Sequence, residues 1–361
     1  MNAETTDRTA PRVGGVATAL PHHPIDQGEA LQALRSVWER QEVDYDAEWL
    51  EYFFERVGVS RRHLALELGE YAHHREFGET NDRFIECGTE LGAAALKEAL
   101  ARAELPADEL DAIFFTTVTG VSSPSLDARI INRLGLDRHI ERTPMFGLGC
   151  VGGAAGLARM ARYLRARPDA TAGLVAVELC SLTLERHEPS MADYIAAALF
   201  GDGAAAVVAH GAERDQSDAS PVKMAAQASA FFHDTEWVMG WEIDERGFGL
   251  VLSGDLPEVI ETELAGEVDG FLADNGLERV DIGSWISHPG GPKVLEAISS
   301  ALELDDAALS LSWRSLDEIG NLSSASVLDV LDRTLEVGLG GKPALVLAMG
   351  PGFSVEMVLL N

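Results

Sequence analysis

The chain has 361 residues, 46% of them apolar and 24% charged, which is enough apolar material for a large core in one duplicated unit or in two domains. Its 28 basic side chains against 59 acidic ones give a net charge of −31, a field that repels DNA, RNA and anionic lipid surfaces and reads first as a well-solvated acidic surface suited to a salty cytoplasm. Three cysteines, Cys87, Cys150 and Cys180, form no CxxC pair and no zinc spacing, so a disulfide framework and a structural metal are both excluded.

In chain order, residues 1–12 are polar and lack an apolar signal region, and they read as a disordered tail. Residues 29–58 place Leu31, Leu34, Val37 and Trp38 at helical spacing and stop at Gly58. A long helix is expected around 80–103, carrying Cys87, Leu91, Leu96 and Leu100. "DAIFFTTVTG" (111–120) reads as a buried strand, and "TPMFGLGC" ends in a Gly-Cys turn. "VGGAAGLARMARYLRARP" is a small-residue helix stopped by Pro168, followed by strands in "AGLVAVELCS" and "GAAAVVAHG". The polar stretch 211–221 reads as a junction.

Beyond it, "IGSWISHPGG" is a strand entering a Pro-Gly turn, "GNLSSASVLDVLDRTLEVGLGGKP" a Gly-led turn and helix, and "ALVLAMGPG" and "SVEMVLL" closing strands. The order of elements after Gly149-Cys150 matches that after Gly320-Asn321. Two similar βαβ-type halves, 13–215 and 216–361, are therefore expected, packed as helix and sheet layers. No run of 18 apolar residues occurs, so no membrane span is expected, and a reducing cytoplasm is the simplest location.

The duplication sets Cys150 opposite Asn321, each after a glycine and each leading a helix. Unpaired amides at a helix start are expected to lower a thiol pKa. On this motif alone, a nucleophile and a tightly packed turn stay equally open. His288, at a strand end before Pro289-Gly290-Gly291, is placed to face a cleft or to cap the turn.

"GLGCVGGAAGL", "ALFGDGAAAVV", "SHPGGPKVLEAI", "GNLSSASV" and "MGPGFSVEMVLL", in this order, resemble the type III polyketide synthases, the chalcone-synthase-like branch of the thiolase superfamily, from about residue 80 to the end. The resemblance implies an α/β, thiolase-like αβαβα fold, a homodimer, acyl-CoA and malonyl-CoA as substrates, and no metal or redox cofactor. It implies Cys150 as the acyl-carrying nucleophile, with His288 and Asn321 as hydrogen-bond donors to the enolate left when malonyl-CoA loses CO₂. Phe200 would be the gatekeeping ring between the coenzyme A tunnel and the chamber. Leu250 stands where the family has a second phenylalanine, and loss of that ring should widen or reshape the cavity. Cys180 stands where plant members often carry threonine.

Thr119, Ser123 and Leu182, with Val118, are the further wall residues implied, while Ala348 and Met349 depart from the family's terminal motif. For coenzyme A phosphates, Arg56 holds one matching position and Lys293 is a second candidate; the other basic positions read as Trp49 and Tyr52. Arg61 and Arg62 read more simply as solvated surface charges. The Cys180 context and the missing ring favour an aliphatic, long-chain starter and a pyrone or resorcinol product. The rivals are a ketoacyl-ACP synthase fed by a carrier protein, and a non-catalytic member of the fold. Loss of the cysteine, histidine or asparagine would mark the latter, and all three are present.

Overall fold

The structure, a computed structural model, describes residues 9–73, 76–184, 189–214, 222–244, 247–305 and 307–361. Residues 1–8 of the expected tail lie outside this set, whereas Ala10 is buried and Arg12 already begins strand β1 (Arg12–Ala19). The helical stretch expected over 29–58 is two helices, α1 (Gln27–Arg40) and α2 (Ala47–Arg56). The break comes at Asp46, whose carboxylate accepts from the amides of Glu48 and Trp49 and caps the second helix. A short ribbon of β2 (His23–Asp26) and β3 (Arg61–Leu64) flanks them.

The first half continues through α3 (Phe77–Arg102), β4 (Ala112–Thr117), α4 (Leu126–Leu134), β5 (Glu141–Phe146), α5 (Gly152–Ala166), β6 (Thr171–Leu179), α6 (Met191–Leu199) and β7 (Asp202–His210). Every residue of β6 is buried, as its run of apolar and small residues, interrupted by Glu178, requires of a strand covered on both faces. It lies at the centre of a five-stranded sheet ordered β1-β7-β6-β4-β5. Strand β4 runs parallel to β5 and β6, and β7 is antiparallel to β6 and β1.

The second half runs β8 (Met224–Phe231), the hairpin β9 (Met239–Asp244) and β10 (Gly247–Leu252), α7 (Leu256–Asp274), β11 (Ser284–Ser287), α8 (Pro292–Leu302), α9 (Ser310–Ile319), α10 (Ser326–Val337), β12 (Ala344–Gly350) and β13 (Ser354–Leu360). Its main sheet is ordered β11-β12-β13-β8, with one parallel and two antiparallel pairings. These four strands repeat β4, β6, β7 and β1 in neighbour and direction; among the described residues β5 has no counterpart. Of the junction expected over 211–221, residues 215–221 lie outside the described set.

Helices α5 and α10 fill the space between the two sheets, sharing one apolar cluster with residues of both, including Leu157, Leu174, Val207, Leu328 and Val346. Their starts approach so closely that a Cβ on Gly153 would sit 2.3 Å from the Ser324 carbonyl oxygen. Helices α3 and α4 cover the outer face of the first sheet through Leu96, Ala99 and Ile130. Helices α7 and α8 cover the second through Ile260, Leu264 and Leu295, and there Trp38, Leu50 and Phe54 of the N-terminal helices join them. The result is five layers, helix–sheet–helix–sheet–helix.

Candidate active site

An internal cavity of about 80 Å³ opens where the leading turns of α5 and α10 meet. Cys150, Cys180, Phe200, Leu250, His288 and Asn321 all line it. The polypeptide reaches Cys150 through Gly149, held at φ +55° with Pro351 so near that a Cβ would meet its ring at 2.5 Å. Cys150 lies in a single 3-10 turn, Gly149–Val151, that runs directly into α5. On the other side, Asn321 precedes α10 by five residues rather than starting it, because a second 3-10 turn, Ser323–Ala325, intervenes.

Asn321 is fixed at both ends. Its amide N–H donates to the Leu199 carbonyl at 3.0 Å and its carbonyl accepts from Gly201 at 3.0 Å, bridging it to Phe200. Its side-chain Oδ1 accepts from the Ser323 amide at 2.8 Å, so Nδ2 is turned toward the Gly290 carbonyl, 3.4 Å away, and the cavity. The side chain thus offers the cavity a donor. His288 follows β11, its backbone amide bonded to the Leu347 carbonyl at 2.9 Å. The ring is buried, and neither nitrogen has a hydrogen-bond partner among the described residues.

The expected lowering of the Cys150 pKa is overturned. Burial pushes the thiol up to about 12, a contact from Sγ to Ser323 Oγ at 3.6 Å pulls it back in part, and the Glu178 carboxylate adds to the rise. Burial also pushes His288 down to about 3. Desolvation is the largest influence on both groups, raising the thiol and lowering the imidazole, so that burial disfavours the charged form of each.

Two charged residues behind the wall escaped the sequence reading. Glu178, the one acid within the apolar run of β6, is fully enclosed and accepts from the Val118 amide (3.1 Å), Thr119 Oγ1 (2.8 Å), Thr117 Oγ1 (3.4 Å) and Ser324 Oγ. Burial raises its pKa to about 7 against those four donors. Arg62, read from the sequence as a solvated surface charge, is 3% exposed. Its guanidinium donates to the carbonyls of Ala197 (2.7 Å), Phe200 (2.8 Å) and Ala198, and to Gln27 Oε1. It satisfies the carbonyls that the end of α6 leaves without helical partners and so fixes Phe200. Arg61 is exposed, as expected.

Not every expected wall residue reaches the cavity. Thr119 is buried, but its hydroxyl is engaged by Glu178 and by the Leu179 amide at 2.9 Å, and Val118 takes the place on the wall. Leu182 packs into the apolar cluster outside the first sheet. Ser123 is exposed, on the loop around a separate opening of about 300 Å³ beside β5. Arg56 and Lys293 are both on the surface. Leu250 lies across the hairpin from Trp241, which also lines the cavity and supplies an aromatic ring from the neighbouring strand.

A duplicated five-layer fold with a cysteine, a histidine and an asparagine meeting in one cavity defines a condensing enzyme of the thiolase type. Comparison with known proteins narrows this. The family models for the N-terminal and C-terminal domains of chalcone and stilbene synthases match residues 9–213 and 222–361. A 1,3,6,8-tetrahydroxynaphthalene synthase of Streptomyces peucetius is 46% identical over 97% of this chain and 92% of its own. An alpha-pyrone synthesis polyketide synthase-like protein of Mycobacterium tuberculosis is 29% identical over 97% and 90%. The crystal structure of the 1,3,6,8-tetrahydroxynaphthalene synthase of Streptomyces coelicolor superimposes with a TM-score of 0.88 at 30% identity, covering 97% of this chain and 98% of that one. The chain belongs to the chalcone and stilbene synthase family, the type III polyketide synthases, which condense an acyl-CoA with malonyl-CoA by decarboxylation. Membership decides against the carrier-protein-dependent rival and the non-catalytic one. No helix of the described residues is long and apolar enough to cross a membrane.

Proposed function

We propose that the enzyme primes Cys150 with an aliphatic acyl group from acyl-CoA, extends it with malonyl-CoA, and releases an alkylpyrone or alkylresorcinol. One observation carries the choice of starter. The reaction cavity abuts a second cavity of about 80 Å³, and Cys180 and Phe200 belong to both. The second is walled by Ile25, Leu34, Val37, Trp38, Leu64 and Leu184, which suit a hydrocarbon tail, together with Arg62, engaged with the α6 carbonyls, and Tyr71 and Ser181, engaged with each other. The first has no charged side chain in its wall.

In this reading His288 takes the Cys150 proton as the thioester arrives, and the thiolate attacks the starter carbonyl. The departing coenzyme A thiolate takes the proton from His288. Malonyl-CoA then loses CO₂, and the enolate oxygen accepts from His288 and from Asn321 Nδ2. Its carbon attacks the acyl-Cys150 carbonyl, returning the thiolate. The apolar wall formed by Phe200 favours departure of neutral CO₂. The substrates are thioesters, and no resident cofactor is called for. The three free thiols suit a reducing cytoplasm.

The test is product analysis with acyl-CoAs of graded length and labelled malonyl-CoA. Labelled products that retain the long acyl chain are expected; turnover with small aromatic starters alone would refute the aliphatic reading. A second reading, a 1,3,6,8-tetrahydroxynaphthalene product, is favoured by the 46% identity reported above. Labelled tetrahydroxynaphthalene in place of acyl-bearing products in the same analysis would select it. We further propose a homodimer, supported by the free edge of β5, where Phe146 is 51% exposed, and by the exposed Val121 beside it. Light scattering behind size exclusion checks it: twice the chain mass is expected, and a monomer would contradict it.

A further inference from the structure

Helix α1 stands between the second cavity and solvent. Ala30, Ala33, Leu34 and Val37 line that cavity at positions i, i+3, i+4 and i+7, one face of the helix. Glu29, Gln32 and Ser36, on the other face, are exposed. Bulk increases along the lining face: Val37 is buried with Trp38 in the second apolar cluster, whereas the earlier positions Ala30 and Ala33 leave room. At about 1.5 Å of rise per residue, the wall from Ala30 to Val37 is about 10 Å long, the length of about eight methylenes of an extended chain.

Small residues also line the α6 side, but there they belong to the gate. Ala196 accepts from the Phe200 amide at 3.0 Å and Ala197 from Arg62 at 2.7 Å, so enlarging either would disturb Phe200 along with the space. Ala33 and Leu34 are free of this coupling. Neither lines the reaction cavity, and both lie more than a helical turn beyond Gln27, the α1 residue that bonds the Ala198 carbonyl and Arg62. Alanine and leucine are both strong helix formers, so exchanging one for the other here alters the space and spares the backbone.

We propose that α1 is the ruler for the starter, with Ala33 and Leu34 setting how long an acyl chain fits beyond Phe200. The inference rests on the aliphatic reading above and adds to it the wall at which chain length is selected. Each methylene denied burial costs about fourfold in kcat/KM. Leucine at position 33 brings in three further carbons, enough to displace about three methylenes, or about fiftyfold.

The experiment measures kcat/KM for straight-chain acyl-CoAs of graded length, with labelled malonyl-CoA as extender, in the native chain, Ala33→Leu, Leu34→Ala and Ala33→Ser. Ala33→Leu is expected to shift the preferred starter about three carbons shorter, cutting kcat/KM for the longest native starters about fiftyfold and leaving the shortest unchanged. Leu34→Ala should shift the preference toward longer chains, and Ala33→Ser, which keeps the small volume, should keep the native profile. Should Ala33→Leu fail to fold, the opposite shift in Leu34→Ala carries the test. Unshifted profiles in a native enzyme that does use aliphatic starters would overturn the ruler and leave the starter reading standing. An equal fall at every length would overturn it too, because it would mark damage to the gate. A native enzyme that rejects aliphatic starters of every length refutes the starter reading, and the ruler falls with it.

Discussion

Replacing Arg62 probes how the gate is held. The guanidinium is enclosed, and burial pulls its pKa down to about 10 although Asp202 supports the charge. In Arg62→Met the volume is largely kept and the donors are gone. The Ala198 carbonyl retains Gln27 Nε2 at 2.9 Å, but the Ala197 and Phe200 carbonyls lose the donors that the structure gives them. An unsatisfied buried carbonyl costs about 1–3 kcal/mol, so two of them predict a loss of about 4 kcal/mol. The end of α6 also loosens, and with it Phe200 and the Leu199 carbonyl that anchors the Asn321 amide. A fall in kcat of about tenfold is expected from displacing the donor. Arg62→Lys should recover only part of this, since one ammonium cannot reproduce the planar fork. Urea unfolding gives the first number and steady-state kinetics the second. A variant within about 0.5 kcal/mol of native stability, with native kcat, would refute the reasoning.

Asn321→Asp should lower kcat about 10²- to 10³-fold with little change in folding, because the position now offering Nδ2 to the cavity would present an anionic oxygen to the enolate; steady-state kinetics and thermal melting check both parts. Glu178 binds its proton more tightly folded than unfolded, with a pKa raised from 4.5 to about 7 by burial. Stability is therefore full below about pH 4.5 as far as this group is concerned, and falls as pH rises through about 7. Glu178→Gln should remove that loss, worth up to about 3 kcal/mol above neutrality, as read by urea unfolding across the window. Asp202, raised to about 6 in the same way, leaves a smaller residual slope.

The cysteine, histidine and asparagine each stand at a strand end or glycine turn, but those features alone left their roles open, and it was the ordered set of motifs resembling the type III polyketide synthases that singled them out. The duplicated halves were legible from the order of their elements: β6 and β12 are buried, largely apolar strands behind matching turns and helices. Buried charge was not. Arg62 and Glu178 look like any other arginine or glutamate until the α6 carbonyls and the Thr119 and Ser324 hydroxyls converge on them from more than fifty residues away. The Cys150 pKa was misread because a helix start is visible in sequence and desolvation is not. Trp241 was missed because it reaches the cavity only through its pairing with Leu250 in a hairpin separate from both main sheets.

The central claim is that Cys150 carries the growing acyl chain between His288 and Asn321. The most direct test is peptide mass spectrometry after exposure to an acyl-CoA without malonyl-CoA, then again after malonyl-CoA is added. One acyl group on Cys150, discharged on addition of malonyl-CoA and absent from Cys150→Ser, is the predicted result. Acylation of Cys180 or Cys87 instead, or continued product formation by Cys150→Ser, would contradict it.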